Sequence, residues 1–250
     1  GVVFRLITQL ICCLIIIGSG LVITNIGDYM FLPKIETGIL SVLFTVICVV
    51  GLTNAFNFID GSDGLCSGLS LISIISIIII SIINGTKSSF VDFNFLILIS
   101  VSILLFIFFN LTNYVKIFLG DSGSMFLGFL ISWILINTSQ NNNEIIHPIL
   151  TIWCVTLPVF DLISVVLRRI IRKINPFKPD RRHVHHILIE IGYSNKSATF
   201  VILIISIFLN FFGILIFQIS GPFPALISFI MLLILYVIFM VHLSRIANSK

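Results

Sequence analysis

Charge is what this sequence has least of. Only 10% of its 250 residues are Asp, Glu, Lys or Arg, against about 25% in a soluble domain. With 58% of the residues hydrophobic, a water-soluble globular fold is excluded and the chain reads as an integral membrane protein. Ten-residue stretches of alternating hydrophobicity are missing too, which excludes a transmembrane β-barrel. Cysteine is sparse. Cys12, Cys13, Cys48, Cys66 and Cys154 fall mostly inside apolar runs and make no metal-type pair, so neither a disulfide framework nor a cysteine-based zinc site is indicated. No cleavable signal is visible before the first apolar run, and the first residue is Gly1 rather than Met. The start therefore reads as cut from a longer protein.

What is present is a series of apolar runs of about 17–22 residues, the length that crosses roughly 30 Å of hydrocarbon as a helix. The predicted fold is an all-α, polytopic membrane bundle forming a single domain over residues 1–250. Eight spanning helices are expected at 6–24, 38–56, 65–83, 93–109, 123–137, 148–167, 198–217 and 223–243. Twelve of the fourteen Lys and Arg fall on one side of this arrangement, at the two chain ends and in the connectors 57–64, 110–122 and 168–197. Lys34 and Lys87 alone fall on the other. Positive charge marks the cytoplasmic side.

Three polar stretches share that side. The first is Asn-Ala-Phe-Asn-Phe-Ile-Asp-Gly-Ser-Asp-Gly-Leu-Cys-Ser-Gly at 54–68. Asn54, Asn57 and Asp60 recur every three residues, as does Asp63 after Asp60, so a helix would place them roughly on one face. Gly61 and Gly64 suit a helix that ends and a backbone that approaches a ligand closely. Plain turn chemistry would use the same residue types. Carboxylates and amides at a membrane edge are also what a site for Mg²⁺ and a phosphorylated ligand needs.

The second stretch is Phe-Leu-Gly-Asp-Ser-Gly-Ser-Met at 118–125. Asp121 is expected just before a helix beginning near Gly123. It could serve only as a cap, or it could bind Mg²⁺ where free N–H groups favour a phosphate. The third runs from Asn175 to His186 and holds Arg181, Arg182, His183, His185 and His186. The histidines lack cysteine partners and regular zinc spacing, and beside two arginines they suit an anionic, sugar-bearing diphosphate. Arg168, Arg169, Arg172 and Lys173 read as positive-inside anchors. Asp161 lies within the sixth apolar run, where a carboxylate normally faces the bundle interior or a cavity. Pro158 is expected to kink that helix. His147 and His242 read as interface residues.

On these three stretches the chain resembles the polyprenyl-phosphate N-acetylhexosamine-1-phosphate transferases, glycosyltransferase family 4. The superfamily includes the muramyl-pentapeptide phosphotransferase of peptidoglycan synthesis. The matching segments are 54–65, 118–124 and 176–186, and His-Val-His-His at 183–186 looks like the branch that uses UDP-N-acetylglucosamine. The resemblance implies transfer of a HexNAc-1-phosphate from a UDP-sugar to undecaprenyl phosphate, with release of UMP. This is the first membrane step of O-antigen, common-antigen or related surface polysaccharide synthesis.

It implies Mg²⁺, with Mn²⁺ as a substitute, and Asp121 as a metal ligand. Asp60 and Asp63 join Asp121 as catalytic carboxylates, and with Asn54 and Asn57 they organise the nucleotide and phosphates. Arg181, Arg182, His183, His185 and His186 recognise the sugar and diphosphate. The site is expected on the cytoplasmic face of a bacterial inner membrane. The partners are the UDP-sugar, the polyprenyl phosphate and the bilayer, with no nucleic acid; homo-oligomer formation stays open.

An acidic Asp-Asp-x-x-Asp-type motif of the family is expected before Gly1, outside this sequence. These eight helices would then be the last eight of eleven, and 250 residues alone would be inactive or nearly so. Another UDP-HexNAc donor, of the QuiNAc or FucNAc type, fits the same residues. A transporter using Asp161 and the Asp60/Asp63 pair on an ion path is the alternative of a different class.

Overall fold

The computed structural model describes residues 2–30, 33–85, 93–112, 116–140, 145–171, 173 and 183–248. Ten α-helices account for nearly all of them: α1 (Val2–Gly18), α2 (Ser41–Ile59, entered through a 3-10 turn at Gly38–Leu40), α3 (Leu65–Ile83), α4 (Phe93–Leu111), α5 (Gly120–Gln140), α6 (Pro148–Cys154), α7 (Thr156–Ile171), α8 (Val184–Glu190), α9 (Asn195–Ser220) and α10 (Pro222–Asn248). The described residues form no strand beyond an isolated bridge between Asn25 and Glu36. The all-α expectation therefore holds.

Among the described residues, six segments are long and apolar enough to cross a membrane: Gly38–Ile59, α3, α4, α5, α9 and Pro222–Ile246. The pair α6 and α7 makes a seventh if its bend of 83° is counted as one broken span. The first apolar run forms the shorter α1. Each of the eight expected segments thus has a helical counterpart, six of them as full-length spans.

The outer faces of these helices are apolar. Leu104, Phe108, Phe208 and Ile238 are all exposed. Large contiguous apolar surface is unfavourable in water and costs nothing in lipid, where helix association must come from close packing and interior polar bonds. Both are present. α2 packs most extensively along α5, and Gly128 permits this, because a Cβ there would lie 2.9 Å from the Thr53 Cα and 3.0 Å from the Phe56 Cβ. Gly213 likewise leaves room for the Trp153 ring. Buried Ser70, Ser73 and Ser76 on α3 return their hydroxyls to carbonyls four residues earlier, so these three are not stranded in the apolar interior.

The break between α6 and α7 follows from Pro158. Proline has no N–H to donate to the carbonyl four residues before it, which is that of Cys154. Asn210 on α9 donates to that oxygen at 2.9 Å and to the Ser76 hydroxyl at 3.1 Å. An amide from a neighbouring helix thus satisfies the freed backbone group, as a spanning segment requires.

Two readings change at this level. Arg168 and Arg169, expected as positive-inside anchors, are buried, with the Arg168 Nε donating to the Ser164 carbonyl at 3.2 Å. They are covered because α7, beyond its sharp bend, packs on α2, α9 and α10. His147 is more than an interface residue. It is the N-cap of α6, accepts from the Ile149 N–H at 3.2 Å, and sits 3.2 Å from the Asp28 carboxylate.

Candidate functional site

The alternation of the helices puts the C-termini of α2, α4 and α7 and the N-termini of α3, α5 and α9 at one end of the bundle. The first two polar stretches lie there, together with His183–His186 of the third. α2 runs further than expected, to Ile59, so Asn54 and Asn57 stand on its last turns and Asp60 is its C-cap. Gly64, with φ +75°, turns the chain into α3. α5 begins at Gly120, three residues earlier than expected, which places Asp121 in its first turn. A carboxylate there is favoured by the N-terminal dipole.

These two helix ends meet. The Asn57 Nδ2 donates to the Asp121 Oδ1 at 3.3 Å and to the Ser124 Oγ at 3.0 Å. Asn54 turns instead to α1, donating to the Gln9 Oε1 at 2.9 Å and to the Val50 carbonyl at 2.7 Å. α1 also supplies Arg5, whose Nη1 lies 2.7 Å from the Asp121 Oδ2. Sequence reasoning missed Arg5 and Gln9 as part of the site. The available signal was two polar residues four apart, hence on one face, in an otherwise apolar helix. Asp63 pairs with Lys116, with Nζ to Oδ2 at 2.7 Å. The same ammonium lies 5.2 Å from the centre of the Phe118 ring. Asp63 and Lys116 line a small polar cavity of about 60 Å³ with Asn110, Asn195 and Lys196.

Asp60 is half-buried among like charges. Burial, then the neighbouring Asp121 and Asp63 carboxylates, push its pKa up to about 6, against a lowering hydrogen bond from Ser124. A raised folded-state value means that the folded protein holds this proton more tightly than the unfolded chain. The associated stability is complete below about pH 4 and is lost as pH rises through about 6. The difference in thermal stability between wild type and Asp60→Asn is therefore expected to change between pH 4 and 6, moving in favour of the variant, and to be flat above 7. A pH-independent difference would remove the strain assigned to Asp60.

His183–His186 open the short helix α8, which docks on the α2–α3 turn. Gly61 makes this possible: a Cβ there would overlap the His185 ring, with Cδ2 and Cε1 at 2.7 Å. The glycine beside Asp60 is thus required by a close approach rather than by a positive φ. His183 stacks on Phe58 at 5.5 Å between ring centres, and the His185 and His186 rings lie 4.0 Å apart. Burial, then His186 and His183, lower the pKa of His185 to about 4, with Asp161 opposing. His185 is therefore neutral near pH 7, and both of its ring nitrogens are buried with no hydrogen-bond partner among the described residues. Such a ring can donate through one nitrogen and accept through the other. Arg181 and Arg182 lie outside the described residues.

Among the described residues, no three His, Cys, Asp or Glu side chains form a ready-made metal cluster. The donor set still fits Mg²⁺, which usually takes one or two carboxylates and completes its shell with water and substrate phosphates. Asp121 and Asp60 are such a pair. Their mutual repulsion is what a divalent cation would relieve.

Residues 1–139 match the family model described as Glycosyl transferase family 4. The undecaprenyl-phosphate alpha-N-acetylglucosaminyl 1-phosphate transferase of Escherichia coli (strain K12) is 32% identical over 174 residues, which are 68% of this chain and 47% of the relative. The protein of the same name in Yersinia pestis is 28% identical over 197 residues, 79% of this chain and 54% of the relative. A "Probable undecaprenyl-phosphate N-acetylglucosaminyl 1-phosphate transferase" of Bacillus subtilis (strain 168) is 29% identical over 246 residues, 98% of this chain and 67% of the relative. The chain spans about half the length of the first two.

Proposed function

Because the chain belongs to glycosyl transferase family 4, we propose that it transfers N-acetylglucosamine 1-phosphate from UDP-N-acetylglucosamine to undecaprenyl phosphate, releasing UMP. The names of its relatives support this acceptor and this sugar. The observation that carries the reading is the meeting of Asn57, Asp60 and Asp121 with the His183–His186 segment at one end of a membrane bundle. The site would face the cytoplasm, where the sugar nucleotide is, in a bacterial inner membrane.

In the proposed reaction an oxygen of the lipid phosphate attacks the β-phosphorus of the UDP-sugar. The bond from that phosphorus to the bridging oxygen breaks, and UMP leaves with the electron pair. A divalent cation held by Asp121 and Asp60, Mg²⁺ or Mn²⁺, would supply positive charge against the diphosphate. Asn57 holds the Asp121 carboxylate in place through its amide. Arg5, already paired with Asp121, stands where it can turn to a phosphate oxygen. Neutral His185 and its neighbours offer hydrogen bonds to sugar hydroxyls and phosphate, with Arg181 and Arg182 assigned to the same task. Asp63, paired with Lys116, is assigned to organising the nucleotide and its phosphates. The isoprenoid chain would lie along the apolar outer faces beside the site.

The test is UMP release by protein expressed from its complete coding sequence. Release is expected only when UDP-N-acetylglucosamine, undecaprenyl phosphate and Mg²⁺ are all present. Undiminished release in excess chelator would remove the metal from the proposal, and faster release from a UDP-QuiNAc or UDP-FucNAc donor would change the sugar.

A further inference from the structure

We propose that Asp161 is a positioning residue, which fixes the orientation and tautomer of His183 and seats the histidine helix α8 over the acidic site. The inference rests on the transferase reading above for its consequence, though not for its geometry.

A carboxylate inside an apolar helix is costly unless hydrogen-bond donors surround it. Asp161 stands on α7 less than one turn after Pro158, and its side chain is 3% exposed. Both of its oxygens are used. Oδ2 lies 2.6 Å from the His183 Nδ1, whose side chain is 6% exposed. Oδ1 accepts from the Val184 N–H at 3.0 Å and from the Tyr236 hydroxyl at 3.4 Å.

These contacts have two consequences. A carboxylate only accepts, so the His183 Nδ1 carries a hydrogen whether the ring is neutral or charged. In the neutral ring the lone pair is then at Nε2. The tautomer is thus set by the partner of the other nitrogen, as it is in metal-ligating and catalytic histidines. The Val184 bond, for its part, occupies one of the orphan N–H groups at the start of α8. A single carboxylate from α7 therefore caps the histidine helix and orients its first ring.

Phe58, from the last turn of α2, holds the other side of that ring at 5.5 Å and 30°. The His185 ring lies nearly parallel to it at 6.2 Å, and His185 in turn rests on Gly61 beside Asp60. The chain of contacts runs from α7 through His183 and His185 to the acidic loop. Holding rings in place before substrate arrives is what positioning contributes to rate.

Two measurements test this. The first is ¹⁵N-histidine NMR of the protein in lipid nanodiscs, with His183 assigned by its loss in His183→Gln. Wild-type His183 is expected to carry hydrogen on Nδ1. In Asp161→Asn the amide can keep the Val184 bond through its oxygen and donate its NH₂ to Nδ1, so the proton is expected to move to Nε2. An Nε2–H neutral tautomer in wild type overturns the proposal, and decides it even where the variant does not accumulate. An unchanged His183 signal in Asp161→Asn also overturns it.

The second is a double-mutant cycle on UMP release. Asp161→Asn is expected to lower kcat by about 10–100-fold in wild type and to cost little more in the His183→Gln background. Additive losses would overturn the coupling. A wild-type protein that releases no UMP would refute the proposed reaction, while the NMR result would still decide the Asp161–His183 contact.

Discussion

Replacing Asp121 with asparagine is expected to lower UMP release by about 10²–10³-fold, the loss typical of removing one preorganised electrostatic contact to a transition state. The folded protein should accumulate as before. Asn57 can still bond to the carbonyl oxygen of an asparagine, and the site keeps its shape. What is lost is the negative charge that Arg5 meets at 2.7 Å and that a divalent cation would need. The Asp121 side chain is 71% exposed and Arg5 is 38% exposed. An ion pair this open to solvent contributes at most about 1 kcal/mol to stability. Turnover and stability should therefore separate. The check is the rate of UMP release beside the size-exclusion profile of the purified protein, and a near-normal rate would remove Asp121 from the site.

Gly61→Ala is expected to lower kcat/KM by about a hundredfold, the scale of a misplacement near 1 Å at a reacting centre. The methyl group cannot coexist with the His185 ring as placed. His185 must move, and the loop carrying Asp60 and Asp63 must move with it or part from it. Gly51→Ala, on α2, is the control, since its Cβ would meet only the Leu162 Cδ2 at 4.0 Å. In a His185→Ala background the Gly61→Ala loss should shrink. Equal losses in both backgrounds would show that Gly61 matters for some other contact.

The long helices were legible in the sequence because lipid imposes one rule, an apolar run long enough to span, on every one of them. Their ends were less so. α5 starts at Gly120 rather than Gly123 because Gly-Asp-Ser-Gly reads equally well as a loop or as a capped first turn. α8 was missed as a helix, since seven residues inside a polar connector carry no apolar run. Its start is capped by Asp161, more than twenty residues away, which no local pattern reveals. The kink at Pro158 was legible, whereas its extent was not.

At the site, the spacing of Asn57 and Asp60 and the carboxylate of Asp121 pointed to one cluster, and the two helix ends do meet. The role of Gly61 was half legible: close approach was expected, and the partner turned out to be an imidazole from the third stretch. Arg5 was read only as a topological charge, because a lone arginine near a chain start has the same local appearance in either role. Arg168 and Arg169 misled for a related reason. Basic residues after a spanning run usually anchor it, and their burial depends on how α7 is laid against its neighbours.

The most direct test of the account follows the β-phosphate itself. UDP-N-acetylglucosamine carrying ³²P at that position is incubated with Mg²⁺, undecaprenyl phosphate and the protein expressed from its complete coding sequence. The account predicts that label enters the lipid extract mole for mole with the UMP released. Label that stays in water while UDP is released would mean that the sugar alone is transferred, and would contradict it.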